Sequence, residues 1–584
     1  MAITNLISPG VEVKEIDNTA SLGAVALGGG AIAGDFQWGP VNEITNINTE
    51  AQLVDTFGKP TSAGVATWLS AASFLAYTGG LSVVRTVGTG ATNAVVDGST
   101  AKAWLNSTDY DDSPYTPADN DASPFIARYP GELGSGILIS IVDKSQFSTW
   151  TYKNAFSAAP GTSANQTYQD CIHVIVIDDK GDITGVPGTF LEKFADVSVV
   201  KAATDDFGQS NYIGDRIKNE GKWVWFGSFN IGNFALETSD DDINTVSEEW
   251  VAAGTTALGA ALTALTNATG LSFKLTGGSS GTSPGATAAR EAGYELFADA
   301  DTTDISFLIG GDSHASNNAN AKITTITSSR KDAFGFISPP STANSVNLLS
   351  STVTLGAKAD ALVTWSASHG AATSYMVVDS GYKKMYNKYD DKYVAVPLNG
   401  DIAGIAALTR LNNDAWWSPA GEKRGQVRNL AGLYFNPGQS ERDKLYPVGI
   451  NPVISTPGRG TFLFGDKTGQ LGNGAFTRIN VRGLFIVLEK TISNFAKSLL
   501  FEFNDEFTRS TFRSLVGGYL ENVQSRRGIS DFQVICDETN NTAAVVDANE
   551  FVGDIFIKPS RSINFIRLNF VAVRSGVEFS ELIG

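Results

Sequence analysis

Apolar positions near the end of the chain fall at helical spacing in two places. Leu488, Ile492, Phe495 and Leu499 recur every three or four residues, and so do Phe512, Val516, Tyr519 and Val523 in a stretch opening at Asn504-Asp505, side chains that cap a first turn. Each set predicts an amphipathic helix. Strands are expected after them: FQVIC (532–536), GDIFIKP (553–559) and the long run INFIRLNFVAVRSGVEF (563–579). In that last run Ile566, Leu568 and Phe570 face one way and Arg567 and Asn569 the other, but Val571 and Val573 make the far end apolar on the polar face. A strand end that needs cover on both faces predicts a partner.

The beginning of the chain poses the same problem. Ser8-Pro9-Gly10 reads as a turn, after which Val11 and Val13 alternate with Glu12 and Lys14 and lead to Ile16, so residues 1–20 are expected to be an extended arm that cannot be stable by itself. Residues 23–86 predict a compact αβ unit. It has a small apolar strand at 24–27, the turn Trp38-Gly39-Pro40, a helix placing Val65, Trp68, Leu69, Ala72 and Leu75 on one face and stopping at Gly79-Gly80, and a returning strand over 81–87.

Beyond residue 87 the texture becomes rich in Asp, Ser, Thr, Pro and Gly, with short β-like runs such as ILISIVD (137–143), as expected of an inserted, surface-mounted region. A second αβ texture follows within it: IHVIVID (172–178), a helix around 246–267 and a strand at 305–309. Two inserted subdomains, divided near 165, are expected. RKDAFGFISPP (330–340) then returns the chain to the first unit, giving an α+β or α/β multidomain chain.

Length and charge sharpen this picture. At 584 residues several domains are expected, and 42% hydrophobic residues supply ample material for their cores. The charged fraction, 18%, is below the usual value of roughly 25%, so the surface is polar and largely uncharged, as suits packing against protein. A net charge of −18 repels nucleic acid and anionic membrane, which excludes both as partners. The acidity is local: residues 87–330 hold 14 basic and 30 acidic side chains, whereas residues 446–584 hold 14 of each. Two distant cysteines, Cys171 and Cys536, form neither a disulfide framework nor a zinc motif and indicate a reducing compartment. The first residues lack a secretory leader, and no apolar window approaches the 18 or so residues of a membrane span, so neither export by that route nor membrane insertion is expected.

No motif in the chain carries the pattern of an active site. The segment from Gly460 to Thr468 has G-x-x-x-x-G spacing, but Asp466 stands before Lys467 and would aim negative charge at a phosphate, while Phe462, Leu463 and Phe464 read as a buried strand. His173, His314 and His369 have no second ligand at metal spacing, so no catalytic, cofactor or metal site is assigned. Asp109, Asp111, Asp112, Asp119 and Asp121 lack the glycine and closing glutamate of a calcium loop, and Asp240, Asp241, Asp242, Glu248 and Glu249 suit the start of a helix. Arg509, Arg513, Arg526 and Arg527 share one helix or its exit. They fit either helix solubility or an interface with an acidic partner.

Several motifs, in order along the whole chain, resemble those of contractile-tail sheath proteins of myovirus-type bacteriophages. SPGVEVKEID (8–17) is similar to their opening arm, and the segment 35–60 with GGLSVVRTVG (79–88) to their entry unit. ARYPGELGSGILISI (127–141) resembles the first inserted β domain, and DDKGDITGVPGTFLEKF (178–194) the long, T-even-like members. VPLNGDIAGIAALTR (396–410), YPVGINPVISTPGRGTFLFGDKT (446–468), INVRGLFIVLEKTI (479–492), FEFND (501–505) and VICDETNNT (534–542) resemble C-terminal motifs of the family, although FGDKT (464–468) lacks the tryptophan that many relatives carry before the glycine.

The resemblance implies a nested-insertion architecture. The expected parts are an arm (1–20), a middle αβ domain (21–90 with 330–445), an outer β domain (91–165), a second inserted αβ domain (166–329) and a C-terminal, tube-facing assembly domain (446–584) ending in an exchange strand. It implies a virion protein, not an enzyme, that stacks as hexameric rings around a tail tube and contracts to drive the tube through a host envelope. The implied partners are itself, the tube, the baseplate and the tail terminator, with assembly in the host bacterial cytoplasm. Val11, Val13, Ile16, Ile566, Leu568, Phe570, Val571 and Val573 become candidate inter-subunit arm residues, and Arg509, Arg513, Arg526 and Arg527 candidate tube-facing ones. A sheath of a phage-derived injection particle would carry the same motifs. A surface-layer protein or adhesin shares the composition, but the expected absence of a leader counts against it.

Overall fold

The computed structural model describes residues 29–564, except 98, 100, 114–122, 143, 145, 162–170, 199–202, 206, 228–270, 284 and 313–317. The chain divides into two units, the larger running over Ala26–Asn412 and Pro419–Thr477, the smaller containing Asn413–Ser418 and the chain from Arg478 onward.

The larger unit is organised by runs too apolar for a surface strand: GAIAG (Gly30–Gly34), FLI (Phe307–Ile309), FGFI (Phe334–Ile337) and MVVD (Met376–Asp379), buried at every position. Strands of this kind need cover on both faces, as in a parallel sheet. They lie in one seven-stranded sheet in the order 450–451, 376–379, 334–337, 307–309, 30–34, 81–85, 44–47. All neighbours are parallel except Ile44–Ile47, which runs antiparallel to Leu81–Arg85. Helices Val65–Leu75 and Asn399–Asn412 pack together and onto the sheet, and Thr287–Glu295 with Asn318–Arg330 form another such pair. Ala31, Ala33, Leu308, Ile337 and Val378 meet Tyr294, Ile323, Ile326 and Leu362 in one core. This is a doubly wound α/β layer structure.

Three boundaries differ from those expected. Phe307–Ile309, assigned to the second insertion, pairs with Gly30–Ile32 on one side and Phe334–Phe336 on the other, so it is a central strand of the middle domain. The division near 165 falls between strands that pair with each other, Ile137–Val142 and Cys171–Asp178. These belong to one antiparallel sheet, in the order 189–198, 171–178, 137–142, 271–276, 95–96, 125–127, 224–226, whose core includes Ile139, Val174, Val176, Phe194 and Phe273. The insertion is thus a single domain. At the other end, Ile450–Asn451 joins the central sheet and Val453–Thr456 pairs with Gly460–Leu463 within the larger unit, which moves the boundary from 446 to 478. The strand expected at 24–27 and the helix expected around 246–267 lie outside the described residues.

The insertion leaves and rejoins through a narrow neck. Thr89 bridges Thr282 and Thr92 bridges Ser279, and the Gly88 amide donates to Ser280. A Cβ on Gly88 would lie 2.0 Å from the Thr282 carbonyl oxygen, so only glycine allows the two passes of chain to run so close. Two side chains anchor the domain beyond the neck. Trp38 enters the insertion's core, stacked on Trp223 at 5.3 Å and edge-on to Tyr129 at 5.4 Å, its turn held by Gly39 at φ 101°. Arg85, fully buried at the end of its strand, donates to the carbonyls of Phe36 (2.8 Å) and Gly39 (2.9 Å) on one side and Pro130 (2.6 Å) on the other.

The C-terminal ends of the parallel strands, where α/β proteins commonly bind ligands, are filled by the protein's own polar groups. Ser338 donates to Asp379 (2.7 Å) and accepts from the Asn399 amide (3.0 Å), while the Asn399 side chain reaches the Gly311 carbonyl (2.7 Å). Nearby, Lys383 contacts Asp401 at 2.8 Å with both side chains buried, and Tyr77 donates to the same carboxylate at 3.1 Å.

Burial pushes the Asp379 carboxyl up to about 8 from its ordinary 3.8. A raised folded-state pKa contributes stability that is complete below the unfolded value and is lost as pH rises through the folded one, so the protein should lose stability between about pH 4 and about pH 8. Asp379→Asn, which keeps the shape without the charge, should flatten that slope in denaturant titrations, and an unchanged slope would refute the assignment. Lys383→Met, which strands a buried carboxylate, should cost about 3–5 kcal/mol, and adding Asp401→Leu should recover much of it in the same measurement.

Candidate assembly surface

The smaller unit contains Arg509, Arg513, Arg526 and Arg527, four of the residues proposed from sequence to meet other proteins. Its first helix is Ile479–Lys497 and its second Glu506–Ser525, whose N-cap Asp505 accepts from the Thr508 amide at 2.8 Å. That bond holds the Asp505 carboxyl below its usual range. All eight positions of the two helical patterns enter one cluster, Leu499 from just beyond the end of the first helix. Phe495 stacks near Phe512 at 6.1 Å, and Leu488, Phe512, Val516, Leu520 and Val523 are its buried centre.

A two-stranded antiparallel sheet, Ile529–Ile535 with Asp554–Pro559, lies on these helices. Phe532, Val534, Ile555 and Ile557 face the cluster but are only partly buried, and Gln533 and Phe556 on the other face are exposed. Among the described residues neither strand has a further neighbour. A sheet of two strands is marginal, and unpaired strand edges are templates for another strand. The motif VICDETNNT, from 534 to 542, builds the turn leaving the first strand. Asn540 donates to the Ile535 carbonyl at 2.9 Å, and Asn541 exchanges two bonds with the backbone of Val552, at 2.7 and 2.9 Å.

Val11, Val13, Ile16, Ile566, Leu568, Phe570, Val571 and Val573 lie outside the described residues. The four arginines do not form one shared face. Arg509 is buried near Glu506, and Arg513 donates to Glu506 (2.7 Å) and to the Cys536 carbonyl (2.6 Å). Arg526 pairs with Asp414 and lies over Trp416, while Arg527 lies over Trp417. Their charge is engaged within this chain. Sequence spacing put them on one helix but could not reveal the partners, of which Asp414 and the tryptophans come from a segment about a hundred positions earlier.

A feature missed from sequence lies between the helices. Leu500, Phe501, Phe503 and Phe507 are 62%, 104%, 84% and 80% exposed. FEFND served as a family signature, although four large apolar residues in eight positions around a turn were themselves a signal.

The described histidines and aspartates are engaged within the fold. His173 uses both ring nitrogens, on the Ala158 carbonyl and the Asp196 amide, and stacks on Phe156. His369 accepts from the Ala371 amide, and burial lowers its pKa to about 4. Asp109 accepts from the Leu105 amide and Asp111 pairs with Lys218, while His314, Asp119, Asp121, Asp240, Asp241, Asp242, Glu248 and Glu249 lie outside the described residues. In the glycine loop, Gly460–Leu463 is a strand, Phe464 is half exposed, Asp466 accepts from the Tyr446 hydroxyl at 3.0 Å and Lys467 lies over the Tyr446 ring. Among the described residues no group of three or more His, Cys, Asp or Glu could hold a metal, and no helix is long and apolar enough to cross a membrane.

The chain is thus a doubly wound α/β body carrying an inserted β domain, and a smaller unit of two helices and a two-stranded sheet. Comparison with known proteins gives the family. Residues 292–469 match the phage tail sheath protein central domain and residues 473–572 the phage tail sheath C-terminal domain. The chain is 31% identical over 685 residues to the tail sheath protein of Vibrio phage KVP40, covering 99% of this chain and 100% of that one. It is 30% identical over 692 residues to that of Enterobacteria phage T4, covering 99% of each. Crystal structures of sheath tail proteins from Listeria innocua (TM-score 0.51, 11% identity, 92% of this chain and 96% of that one) and Desulfitobacterium hafniense (TM-score 0.50, 13% identity, 94% and 100%) share the fold. The chain belongs to the phage tail sheath protein family. Its function is the structural one of that family, in the sheath of a contractile phage tail.

Phe512→Ala, which empties part of the small unit's core, should cost about 3–5 kcal/mol. Phe501→Ala should change stability by less than about 0.5 kcal/mol. Hydrogen exchange in helix Glu506–Ser525 reads both, and equal effects would contradict the contrast between a packed and an exposed ring.

Proposed function

We propose that this chain stacks as hexameric rings around a tail tube, linked to its neighbours by strand exchange, and that contraction drives the tube through the host envelope. The observation that carries this reading is the two-stranded sheet of the small unit, partly buried on its inner face and, among the described residues, without a further strand at either outer edge. An arm bearing Val11, Val13 and Ile16 from one copy and the strand bearing Ile566, Leu568, Phe570, Val571 and Val573 from another have the alternation to extend such a sheet through backbone bonds. Contraction is then a rigid-body rotation of subunits about these links, from a metastable lattice to a more buried one, and needs no covalent chemistry, so the protein is not an enzyme. If each copy buries about 100–200 Å² more apolar surface, the gain is about 2.5–5 kcal/mol per subunit, summed over the sheath.

The tube, the baseplate and the tail terminator are the partners of this reading, the virion tail is the location, and the host bacterial cytoplasm is where the sheath assembles. Of the four arginines, Arg513, Arg526 and Arg527 retain a place in it as an exposed or partly exposed fringe able to meet an acidic tube, whereas Arg509 is buried.

Removing residues 1–17 should leave a folded monomer with an unchanged melting transition and abolish tubes in negative-stain microscopy, and Val11→Asp with Val13→Asp should do the same. Tubes of normal length from the truncated protein, or a truncated protein that does not fold, would refute strand exchange.

A further inference from the structure

The loop between the two helices of the small unit and the first turn of the second helix expose four large apolar side chains, yet the segment is firmly held. Asn504 donates to the Glu550 carbonyl at 2.7 Å and to Asn541 at 3.3 Å, Asp505 caps the following helix, and the Glu502 amide donates to the Leu499 carbonyl at 3.2 Å. Phe501 sits at φ 74°, a left-handed conformation that a bulky residue adopts only at a cost of about 1–3 kcal/mol. A rigid, strained loop with Leu500, Phe501, Phe503 and Phe507 in solvent is an apolar prong made ready for a surface.

A surface of matching character lies in the same unit. The outward face of the hairpin carries Phe556, 57% exposed, and Arg561 and Ile563 are exposed just beyond the end of its strand. The charges complement each other. On the prong, Glu506 is engaged by Arg509 and Arg513 and Asp505 by the helix cap, leaving Glu502; on the hairpin, Lys558 is engaged by Asp531 and Asp554 accepts from the Asn540 side chain, leaving Arg561.

We propose that the prong of one copy packs on the outer hairpin face of a second copy, with Phe501 and Phe503 against Phe556 and Glu502 against Arg561. This rests on the reading of the chain as a self-assembling sheath. Because donor and acceptor patches differ, the contact is heterologous and propagates into rings or filaments rather than closing as a pair. A buried aromatic side chain contributes about 150–250 Å², so the prong supplies several hundred Å² per copy, at the low end for a specific interface. Such a contact is weak singly and effective only when repeated around a lattice.

The test uses the full-length chain. Wild-type protein should form tubes, and failure of the wild type to do so would sink the sheath reading itself. With that control in hand, Phe501→Gly, which relieves the backbone strain and removes the ring, should leave the melting temperature equal or higher while raising the concentration needed for tubes by about tenfold or more. Glu502→Arg should weaken assembly, and combining it with Arg561→Glu should restore it. Mixing Phe503→Cys with Phe556→Cys protein under mild oxidation should give a covalent dimer that neither variant gives by itself. Normal assembly of Phe501→Gly, no rescue by the charge exchange, or no mixed dimer would each overturn the proposal, as would a loss of binding to purified tail tubes with self-assembly intact, which would assign the prong to the tube.

Discussion

The pairing of Gly30–Gly34 with Phe307–Ile309 is the constraint on which the rest of the larger unit depends. Both strands are too apolar to face water, and each lies between two parallel neighbours in the middle of the central sheet. Once they lie side by side, everything between the strand Leu81–Arg85 and the helix Thr287–Glu295 must leave the layer and come back. The neck at Thr89–Thr92 and Ser279–Thr282 is the form that excursion takes, and Trp38 and Arg85 keep it from being a mere tether. Arg85 links the two domains because a buried guanidinium must satisfy its donors, and the carbonyls within reach belong to both sides. Burial lowers its pKa to about 9, still above neutrality, so the link is charge-assisted under ordinary conditions.

How much of this was legible in the sequence depends on the range of the interaction. The amphipathic helices of the small unit, the helix from Val65 and the strand Cys171–Asp178 were readable because their patterns are local. Which strand pairs with which was not. Phe307–Ile309 is three apolar residues, identical in character whether it lies in the insertion or the central sheet, and Val95–Val96 is shorter still. The change in texture after residue 87 falls beside the neck bridges of Thr89 and Thr92, where the insertion departs. Its end was misplaced because helix Thr287–Glu295, which returns to the middle domain, looks like the αβ mixture preceding it.

The assembly surface was less legible, for electrostatic and geometric reasons. Four arginines in a neutral region suggested a cationic face, but Glu506 and Asp414 answer three of them, and only the fold brings Asp414 there. The prong escaped notice for the opposite reason. Phe501, Phe503 and Phe507 lie between two apolar helical stripes and read as a continuation of core, and only the backbone turn after Leu499 shows that they point away from it.

Strand exchange and an exposed aromatic prong suit different demands on a sheath. Backbone pairing along a sheet edge is cooperative and directional, and it can persist while the bodies it joins rotate, provided the connecting chain is long enough. A small apolar contact cannot bear that load, but it can break and re-form elsewhere at little cost. An assembly that must hold one lattice and later adopt another needs links of the first kind to stay whole and contacts of the second kind to tell the two lattices apart. In this chain both are mounted on one small unit, with the helix cap at Asp505 and the amide of Asn504 fixing the prong relative to the hairpin turn. If strand exchange links neighbouring copies, as proposed, a rotation of that unit about the linked strands must carry the prong with it, so whatever surface the prong meets changes in step with the lattice.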